Sequence, residues 1–434
     1  MDPAFCYYYS EGHEIVLFIY RQRRLMARKD FFITVGMAVC CMTAQLCAES
    51  DFWAGASGRT ESVELVEYCA PDDYSWPSFT HSSQVTELPN GELGVVWYGG
   101  SSEGASNVKC WFTRKTAQGW LTPVAISGDD RAIDNAAIYQ PKKPGAPLCV
   151  WYTVLLDGGS SGKKRFIKST DNGATWTDPV DCPDLQGTPL GRAMGCEKNK
   201  PLELPDGSLL LPASVRPRWL GFNGLLTDSA LFWIERTVDY NGDNTLWSQP
   251  ARKGHQPAFL VHSQDFMHLQ LLCRGGKSTW STDGGRTWGP VTGFGDKVID
   301  ADGIGNSGGD AFTLDNGYHV SGYSHTGGRE FIRICISPDG LQWQKVMVVP
   351  CGGRNYPAFV QTSDRKLHLT YSDDPIRHVV IDPDKLCNAN GPVVNRLKPV
   401  SAYRAGTGFS ACYTVQTGLK LEYSLPQAGR RRLG

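Results

Sequence analysis

Ser169-TDNGATW and Ser281-TDGGRTW are two copies of one pattern, Ser-x-Asp-x-Gly-x-Thr-Trp, and Ser337-PDGLQW is a shortened third copy. The aspartate of such a pattern can cap the amides of a tight loop, and the glycine takes a backbone conformation that other residues resist. The tryptophan is expected to fill the gap beside a neighbouring strand. Recurrence of this pattern at regular spacing favours a repeat-built architecture.

A second unit recurs between these copies: a polar residue, a short apolar strand, a tight turn and another apolar strand. The six units begin at His81, Asn135, Asn199, His255, Gly309 and Asn355. Their starts are about 46 to 64 residues apart, the span of one four-stranded propeller blade with its loops. In four units the turn is Asn-Gly, Asp-Gly or a near variant, as a two-residue hairpin requires.

The predicted fold is therefore all-β, a six-bladed β-propeller over residues 62–387. Each blade is expected to run strand A, hairpin turn, strand B, loop, strand C, aspartate-containing turn and strand D. The segment Ser62-VELVEYC is expected to return as the outer strand of the last blade, beside Ile376-RHVVID. Such a closure removes a sheet edge that otherwise invites aggregation.

Composition excludes several classes of protein. The 434 residues carry a net charge of −1 without a basic stripe or acidic tail, which argues against nucleic acid or a membrane surface as partner. Cys110, Cys149, Cys273 and Cys335 lie in apolar strand-like runs and are interpreted as buried free thiols. Because no Cys-x-x-Cys pair or His/Cys cluster occurs at zinc spacing, neither a metal nor a cofactor is predicted.

The N-terminal segment resembles an export signal. A basic stretch after Met26 precedes the apolar run 31–46, which is shorter than the roughly 20 residues of a spanning helix. Residues 26–48 are therefore predicted to be a signal peptide, and the protein to be secreted or periplasmic. Residues 1–25 would be an over-extended start, and 388–434 an irregular C-terminal tail.

The predicted topology assigns polar residues to the two faces of the ring. The A–B hairpins and the aspartate-containing turns share one face, and the loops entering strand A and joining B to C share the other. Residues on this second face converge on a central depression, where a ligand would bind. They are His81, Glu103, Asp134, Lys198, Asn199, Arg216, His255, Gln256, Arg274, Asn306, Asp310, His325, Arg329, Arg354, Tyr356 and Asp373.

The aspartate-containing turns resemble the Asp-boxes of the sialidase (neuraminidase) superfamily, and most of residues 75–385 resembles a bacterial branch of predicted neuraminidases. Asn355-YPAFVQ resembles the segment that carries the sialidase nucleophilic tyrosine, which implies this role for Tyr356. Likewise Leu271-LCRGG and Ser324-HTGGREFIRICISPDG resemble segments with carboxylate-binding arginines, here Arg274 and Arg329. Glu103 lies near the position of the family's acid/base aspartate.

Two departures from the family pattern concern histidines. Phe79-Thr-His-Ser stands where sialidases have Phe-Arg-x-Pro, so His81 replaces the first arginine of the carboxylate clamp. His255 stands where the glutamate partner of the nucleophilic tyrosine is expected. Protonation of both histidines below their usual pKa of about 6.5 would partly restore positive charge, which predicts better activity towards pH 5.

The resemblance implies a monomeric exo-glycosidase that hydrolyses a terminal acidic sugar, sialic acid or a relative, from a glycan. Tyr356, Glu103 and His255 would be catalytic, and the remaining candidates would bind substrate. These binding candidates are His81, Lys198, Asn199, Arg274, Asn306, Asp310, His325, Arg329 and Arg354. The alternatives are a polysaccharide lyase acting on uronic acids and a glycan-binding propeller without catalysis.

Overall fold

The computed structural model describes residues 4–10, 13–19, 52–156, 161–183, 195–196, 198–215, 231–248, 256–294, 298–299, 303–325, 328–388, 413–414 and 420–421. The chain divides into two compact units, 1–47 and 48–434. The first unit contains an antiparallel hairpin of β1 (Ala4–Ser10) and β2 (His13–Ile19). The whole of the expected signal peptide, 26–48, and most of the expected C-terminal tail lie outside the described residues.

The second unit begins with two strands that later join the sheets of the last two blades. They are β3 (Ser57–Gly58) and β4 (Val63–Tyr68), with a 3-10 turn at Thr60–Ser62 between them. The first three blades follow as antiparallel sheets with the strands in chain order from the ring centre outward. Blade 1 comprises β5 (Phe79–Glu87), β6 (Leu93–Gly100), β7 (Lys109–Thr116), β8 (Gly119–Trp120) and β9 (Val124–Ala125). Blade 2 comprises β10 (Ile133–Tyr139), β11 (Leu148–Leu156), β12 (Ser161–Ser169) and β13 (Val180–Asp181). Blade 3 comprises β14 (Gly195–Cys196), β15 (Leu202–Glu203), β16 (Leu209–Val215), β17 (Leu231–Thr237) and β18 (Thr245–Ser248).

The last three blades follow the same plan, except that β23 pairs in parallel with β27 at the outer edge of blade 5 and that β3 and β4 join the last two blades. Blade 4 comprises β19 (Ala258–Val261), β20 (Leu269–Cys273), β21 (Lys277–Ser281) and β22 (Thr292–Gly293). Blade 5 comprises β23 (Val298–Ile299), β24 (Asp310–Thr313), β25 (His319–Tyr323), β26 (Phe331–Ser337) and β27 (Trp343–Pro350), with β3 paired to β27. Blade 6 comprises β28 (Asn355–Gln361), β29 (Leu367–Ser372), β30 (Ile376–Ile381) and β4. Beyond the blades lie the helix α1 (Pro383–Asn388) and the paired strands β31 (Tyr413–Thr414) and β32 (Lys420–Leu421).

The six-bladed propeller predicted from the repeats is confirmed, and so is its closure. Strand β4 pairs antiparallel with β30, Val66 opposite Val379, so the N-terminal strand completes the last blade. The inner strand of blade 6, β28, contacts the inner strands of both blade 5 and blade 1. The ring is thus closed by a strand from before its first blade.

The core lies between the blades. In β6 every residue is buried, because alternate side chains meet different neighbours: Val95 and Trp97 face blade 6, whereas Val96 and Tyr98 face blade 2. Each of the six interfaces between blades has its own apolar cluster. In order from the blade 1–2 interface, residues that share a cluster are Val96 and Ile138, Trp151 and Leu211, Leu210 and Leu271, Leu260 and Trp343, Ile334 and Phe359, and Ala358 and Trp97.

The Asp-boxes join the third strand of a blade to the fourth, as predicted. Asp171 accepts hydrogen bonds from the amide and hydroxyl of Thr175, at 2.8 and 2.6 Å, and these bonds lower the pKa of Asp171 to about 2. At Gly173, where φ is +82°, a Cβ atom would collide with the ring of Phe112 in blade 1. Trp176 packs against that same ring with centroids 5.1 Å apart. This box therefore ties blade 2 to blade 1.

Cys110, Cys149, Cys273 and Cys335 are buried, as predicted, and none of the four forms a disulfide. Burial raises the pKa of each thiol for which a shift is resolved here, Cys110, Cys149 and Cys335. Such thiols act as small apolar side chains. Among the described residues, no helix is both long and apolar enough to cross a membrane.

Candidate active site

The inner strands begin with backbone irregularities on the face that carries the predicted site. Five non-glycine residues there have positive φ angles: Ser82, Asn135, Gln256, Asn355 and Tyr356. In blades 1, 2 and 6 these residues coincide with register shifts between the first two strands. Bulges of this kind redirect side chains, and strained backbone of this kind persists only where surrounding contacts hold it.

Tyr356 lies at the floor of the depression and is 6% exposed. The Nη1 atom of Arg274 donates a hydrogen bond of 3.0 Å to the Tyr356 hydroxyl oxygen. The ring of His81 lies 4.2 Å from the Tyr356 ring, and the Arg329 guanidinium lies 5.7 Å from its centroid. The structure therefore brings together four residues that were each predicted from the sequence to belong to the site. They are His81 of blade 1, Arg274 of blade 4, Arg329 of blade 5 and Tyr356 of blade 6.

Arg274 is held in place by its neighbours. Its Nε donates to Asn306 Oδ1 at 2.9 Å, and its Nη2 donates to the Asn306 carbonyl at 2.7 Å. Nη1 also approaches Gln256 Oε1 at 3.4 Å. With the bond to Tyr356, four of the five N–H donors of this guanidinium are in use. Asn306 thus supports Arg274.

Arg329 and Arg354 differ in their partners. Within the part of the chain that the structure describes, the Arg329 guanidinium forms no hydrogen bond or ion pair and lies 5.7 Å from the centroid of the Tyr356 ring. In contrast, Arg354 forms an ion pair with Asp374 and lies 4.6 Å from the centroid of the Phe79 ring. Arg354 is therefore engaged within the protein.

Lys198 and Asn199 do not reach the depression as substrate ligands would. Both side chains are buried, with Lys198 fully inaccessible. The Lys198 ammonium donates to Pro357 O at 2.6 Å, Asn199 Oδ1 at 2.8 Å and Gly309 O at 3.3 Å. Asn199 Nδ2 donates to the Gln256 carbonyl at 3.0 Å. The expected substrate contacts by these two residues have no support in this geometry.

His81 is buried, and its Nδ1 lies 3.2 Å from Ser372 Oγ. Burial lowers the pKa of His81 to about 3, assisted by the positive charges of Arg354, Arg329, Lys198 and Arg274. The expectation that His81 gains a proton towards pH 5 is therefore wrong, because a cation there would be desolvated and repelled by four others.

The remaining predicted residues lie apart from Tyr356 or outside the described part. Glu103 is exposed in the loop after β6, with no contact to Tyr356 or Arg274. His325 packs near Phe331, their ring centroids 6.4 Å apart. Asp310 is buried and accepts from Lys200 Nζ at 2.6 Å and from the Phe359 amide at 2.8 Å, so it acts as an internal brace. His255 lies outside the described residues.

Ser372, Asp374, Lys200 and Gly308 support the site but had not been singled out from the sequence. Ser372 Oγ accepts from the amide of Ser82 at 2.8 Å and so fixes the bulge that carries His81. A Cβ atom on Gly308 would lie 2.7 Å from Tyr356 Cε1. Ser372 and Asp374 could have been found from their position in the sequence, because they flank Asp373, which was already assigned to this face.

A cavity of about 620 Å³ lies on the opposite face, among the A–B turns. Its lining includes Leu88, Gln140, Lys143 and Lys200, but not Tyr356, Arg274, Arg329 or His81. Within the described residues, no group of three or more His, Cys, Asp or Glu side chains is placed to hold a metal ion.

The fold is that of a sialidase-like six-bladed propeller with a tyrosine–arginine centre. The chain belongs to the BNR repeat-like domain family, whose sequence profile matches residues 91–369. No curated protein matches the chain in sequence.

Several solved structures share the fold at low sequence identity. A protein of unknown function from Dyadobacter fermentans superposes with a TM-score of 0.57 at 14% identity, over 75% of this chain and 98% of its own. The Hadza microbial sialidase Hz136 gives 0.58 at 13% identity, over 73% and 68% of the two chains. The NanB sialidase of Streptococcus pneumoniae gives 0.56 at 10% identity, over 75% and 71%. These likenesses show the fold alone.

Proposed function

We propose that this protein is an exo-acting glycoside hydrolase that removes a terminal acidic sugar from a glycan. The observation that carries the proposal is the Arg274–Tyr356 hydrogen bond of 3.0 Å beside the open guanidinium of Arg329. The Tyr356 phenol loses its proton to solvent as its oxygen attacks the anomeric carbon, and the bond to the leaving oxygen breaks as that oxygen takes a proton from Glu103. The Glu103 carboxylate then removes a proton from water, whose oxygen attacks the anomeric carbon and breaks the bond to Tyr356 to release the sugar.

The choice of a tyrosine nucleophile follows from charge. A carboxylate nucleophile would be repelled by a sugar that carries its own carboxylate at or near the reacting carbon, whereas a phenol becomes negative only as it reacts. Tyrosine nucleophiles are a recognised exception to the usual pair of carboxylates. The guanidinium of Arg274 stabilises the phenolate oxygen through a charge-assisted hydrogen bond.

The two arginines have different roles in this proposal. Arg274 has four donors committed to Tyr356, Gln256 and Asn306, so it chiefly orients the phenol. Arg329 retains its fork and binds the substrate carboxylate, for which a planar guanidinium is the matching partner. The site should therefore prefer a carboxylated sugar over its neutral counterpart.

Protonation of the leaving oxygen is assigned to Glu103. This carboxylate is exposed and makes no contact with Tyr356, so its loop must close over the bound glycan to deliver the proton. Glu103→Gln is expected to slow the hydrolysis of glycosides with poor leaving groups far more than that of activated aryl glycosides, because only the poor leaving groups need the proton. Equal loss on both substrates would remove Glu103 from this role.

A second candidate function is elimination from a uronic acid. In its favour, no carboxylate among the described residues contacts Tyr356, whereas the ring of His81, kept neutral by burial, lies tilted against the Tyr356 ring with centroids 4.2 Å apart. In this tyrosine–histidine pair the Tyr356 phenolate, stabilised by Arg274, would remove the proton beside a carboxylate neutralised by Arg329, while His81 stays neutral. The bond to the leaving oxygen would break as a double bond forms in the sugar.

Product analysis separates these outcomes. The protein is incubated with sialylated and uronic-acid glycans, and the products are followed by reducing-sugar release and by the ultraviolet absorbance of unsaturated uronic acids. New reducing ends without that absorbance support hydrolysis, and absorbance supports elimination. Binding without either product contradicts both and leaves a glycan-binding propeller.

Export and a monomeric state form part of the same proposal, since the substrate is a glycan. Residues 26–48 would be removed so that mature protein begins near Glu49. N-terminal sequencing of secreted protein tests this, and retention of residues 26–48 would contradict it. Light scattering of the mature protein tests the monomer.

A further inference from the structure

Lys198 joins three blades directly beneath Tyr356. It enters blade 3, and its ammonium donates to Gly309 O of the segment entering blade 5 and to Pro357 O of blade 6, at 3.3 and 2.6 Å. The same nitrogen lies 5.8 Å from the centroid of the Tyr356 ring. Because Lys198 is fully buried, these contacts occupy the interior of the ring and leave it no route to a substrate.

The backbone that Lys198 holds is strained. Asn355 and Tyr356 have φ angles of +63° and +61°, a region that side-chain-bearing residues rarely adopt, and they do so consecutively. Such a conformation persists only when neighbouring contacts fix it. Two neighbours bind the chain just after the strained pair: Lys198 at the Pro357 carbonyl and Asp310 at the Phe359 amide.

The stem of Lys198 packs closely against the backbone of Gly308, as does the Tyr356 ring. A Cβ atom on Gly308 would lie 2.9 Å from Lys198 Cδ and 2.7 Å from Tyr356 Cε1. The lysine stem and the tyrosine ring are therefore both packed against the Gly308 backbone. Movement of one is transmitted to the other.

We infer that Lys198 is a positioning residue, which holds the Asn355–Tyr356 bulge so that the Tyr356 hydroxyl meets Arg274. This inference deepens the proposed function, on which its kinetic consequence rests. Without the ammonium, the Pro357 carbonyl loses its closest partner, the strained pair relaxes, and the phenol moves away from Nη1 of Arg274. Misplacement by about 1 Å can cost about a hundredfold in rate.

The test compares Lys198→Met with Lys164→Met. Lys164 is an equally buried lysine whose ion pair with Glu235 joins blades 2 and 3, so its loss controls for general destabilisation. Each protein is labelled with 3-fluorotyrosine, the Tyr356 resonance is assigned through Tyr356→Phe, and kcat and KM are measured with the best acidic aryl glycoside. Lys198→Met is expected to shift the Tyr356 resonance and to lower kcat about a hundredfold with KM nearly unchanged. Lys164→Met is expected to do neither.

Two further observations make the outcome decisive. Propylammonium, which replaces the deleted atoms, should restore the Tyr356 resonance and kcat in Lys198→Ala. If Lys198→Met does not fold, Asn199→Ala removes one of the three acceptors and should shift the resonance in the same direction by less. An unshifted Tyr356 resonance in a folded Lys198 variant overturns the inference. Absence of turnover by the wild type overturns the proposed function instead, and the resonance still decides the role of Lys198.

Discussion

The inner strands end differently on the two faces of the ring. On the face of the A–B turns, blades 1, 3 and 5 place positive φ angles on Gly91, Gly207 and Gly317, each preceded by Asn or Asp. At the starts of the inner strands, on the opposite face, five residues that carry side chains have positive φ angles: Ser82, Asn135, Gln256, Asn355 and Tyr356. Each face also has exceptions, such as Phe266 in the A–B turn of blade 4 and Gly275 beside Arg274. These three hairpin turns therefore use residues that a turn prefers, whereas the starts of the inner strands hold side-chain-bearing residues in a sparsely populated conformation.

The polar groups of the two faces differ in the same way. At the Asp-boxes each carboxylate is saturated by its own loop; Asp283, for example, accepts from the amides of Arg286 and Thr287. Around Tyr356, positively charged groups from several blades converge, and Arg329 has no described partner for its guanidinium. The carboxylates of the turn face are thus satisfied by their own loops and stabilise the ring, whereas the Tyr356 face gathers the cations on which the proposed anion site depends.

The largest effect is expected from Tyr356→Phe. Phenylalanine keeps the ring contacts with His81 and Gly308 but loses the oxygen that Arg274 contacts, so the fold should remain intact. Loss of the nucleophile removes an interaction made in the transition state, and kcat and kcat/KM should fall together by orders of magnitude.

The matched control for this substitution is Tyr139→Phe. Tyr139 lines the cavity on the turn face, and its hydroxyl donates to Glu203 at 3.0 Å. Steady-state kinetics of the two variants should show normal kcat for Tyr139→Phe. Turnover of Tyr356→Phe at the wild-type rate would remove Tyr356 from the mechanism.

Local patterns made much of the fold predictable. The Asp-boxes and the hairpin turns depend on residues within eight positions of each other, and the closing strand β4 could be recognised by its alternating apolar residues. The burial of Lys198 could not be predicted, because it depends on the Pro357 carbonyl 159 positions away. The neutrality of His81 likewise depends on its burial in the assembled ring and then on four cations brought from several blades.

A smaller effect, on the pH dependence of stability, is expected from the histidines that burial keeps neutral. His319 lies near the turn face, so its contribution can be measured apart from the Tyr356 site. Burial lowers the pKa of His319 to about 3, then assisted by His262. As the pH falls below about 6.5, the unfolded chain takes up a proton that the folded protein refuses until about pH 3. Stability from this group is therefore complete above pH 6.5 and is lost progressively in acid.

Urea unfolding of wild type and His319→Gln at pH 7 and pH 5 measures this contribution. Between these pH values the wild type should lose about 1–2 kcal/mol more unfolding free energy than the variant. Identical losses would show that His319 is protonated in the folded protein. Activity per folded molecule should be equal in the two proteins.

The smallest effect is expected from Asp283→Ala in the second complete Asp-box. The substitution removes a carboxylate that accepts from the Thr287 hydroxyl at 2.5 Å and from two backbone amides. By analogy with helix caps, the unfolding free energy should fall by about 1 kcal/mol. Thermal unfolding and kinetics together check this, since kcat should not change; a lowered kcat would mean that the two faces are coupled.

The most direct test of the account is the dependence of turnover on the substrate carboxylate and on Arg329. The measurement is kcat/KM for an aryl sialoside, an aryl glucuronide and a neutral aryl glycoside, in wild type and in Arg329→Ala. A charge-assisted hydrogen bond contributes about 1.5–3 kcal/mol, so an acidic sugar should be favoured roughly tenfold to a hundredfold in wild type. Arg329→Ala should abolish that preference and leave the neutral substrate unaffected. The account would be contradicted if the neutral glycoside had the highest kcat/KM and if neither Arg329→Ala nor Arg274→Ala changed kcat/KM for any of the substrates.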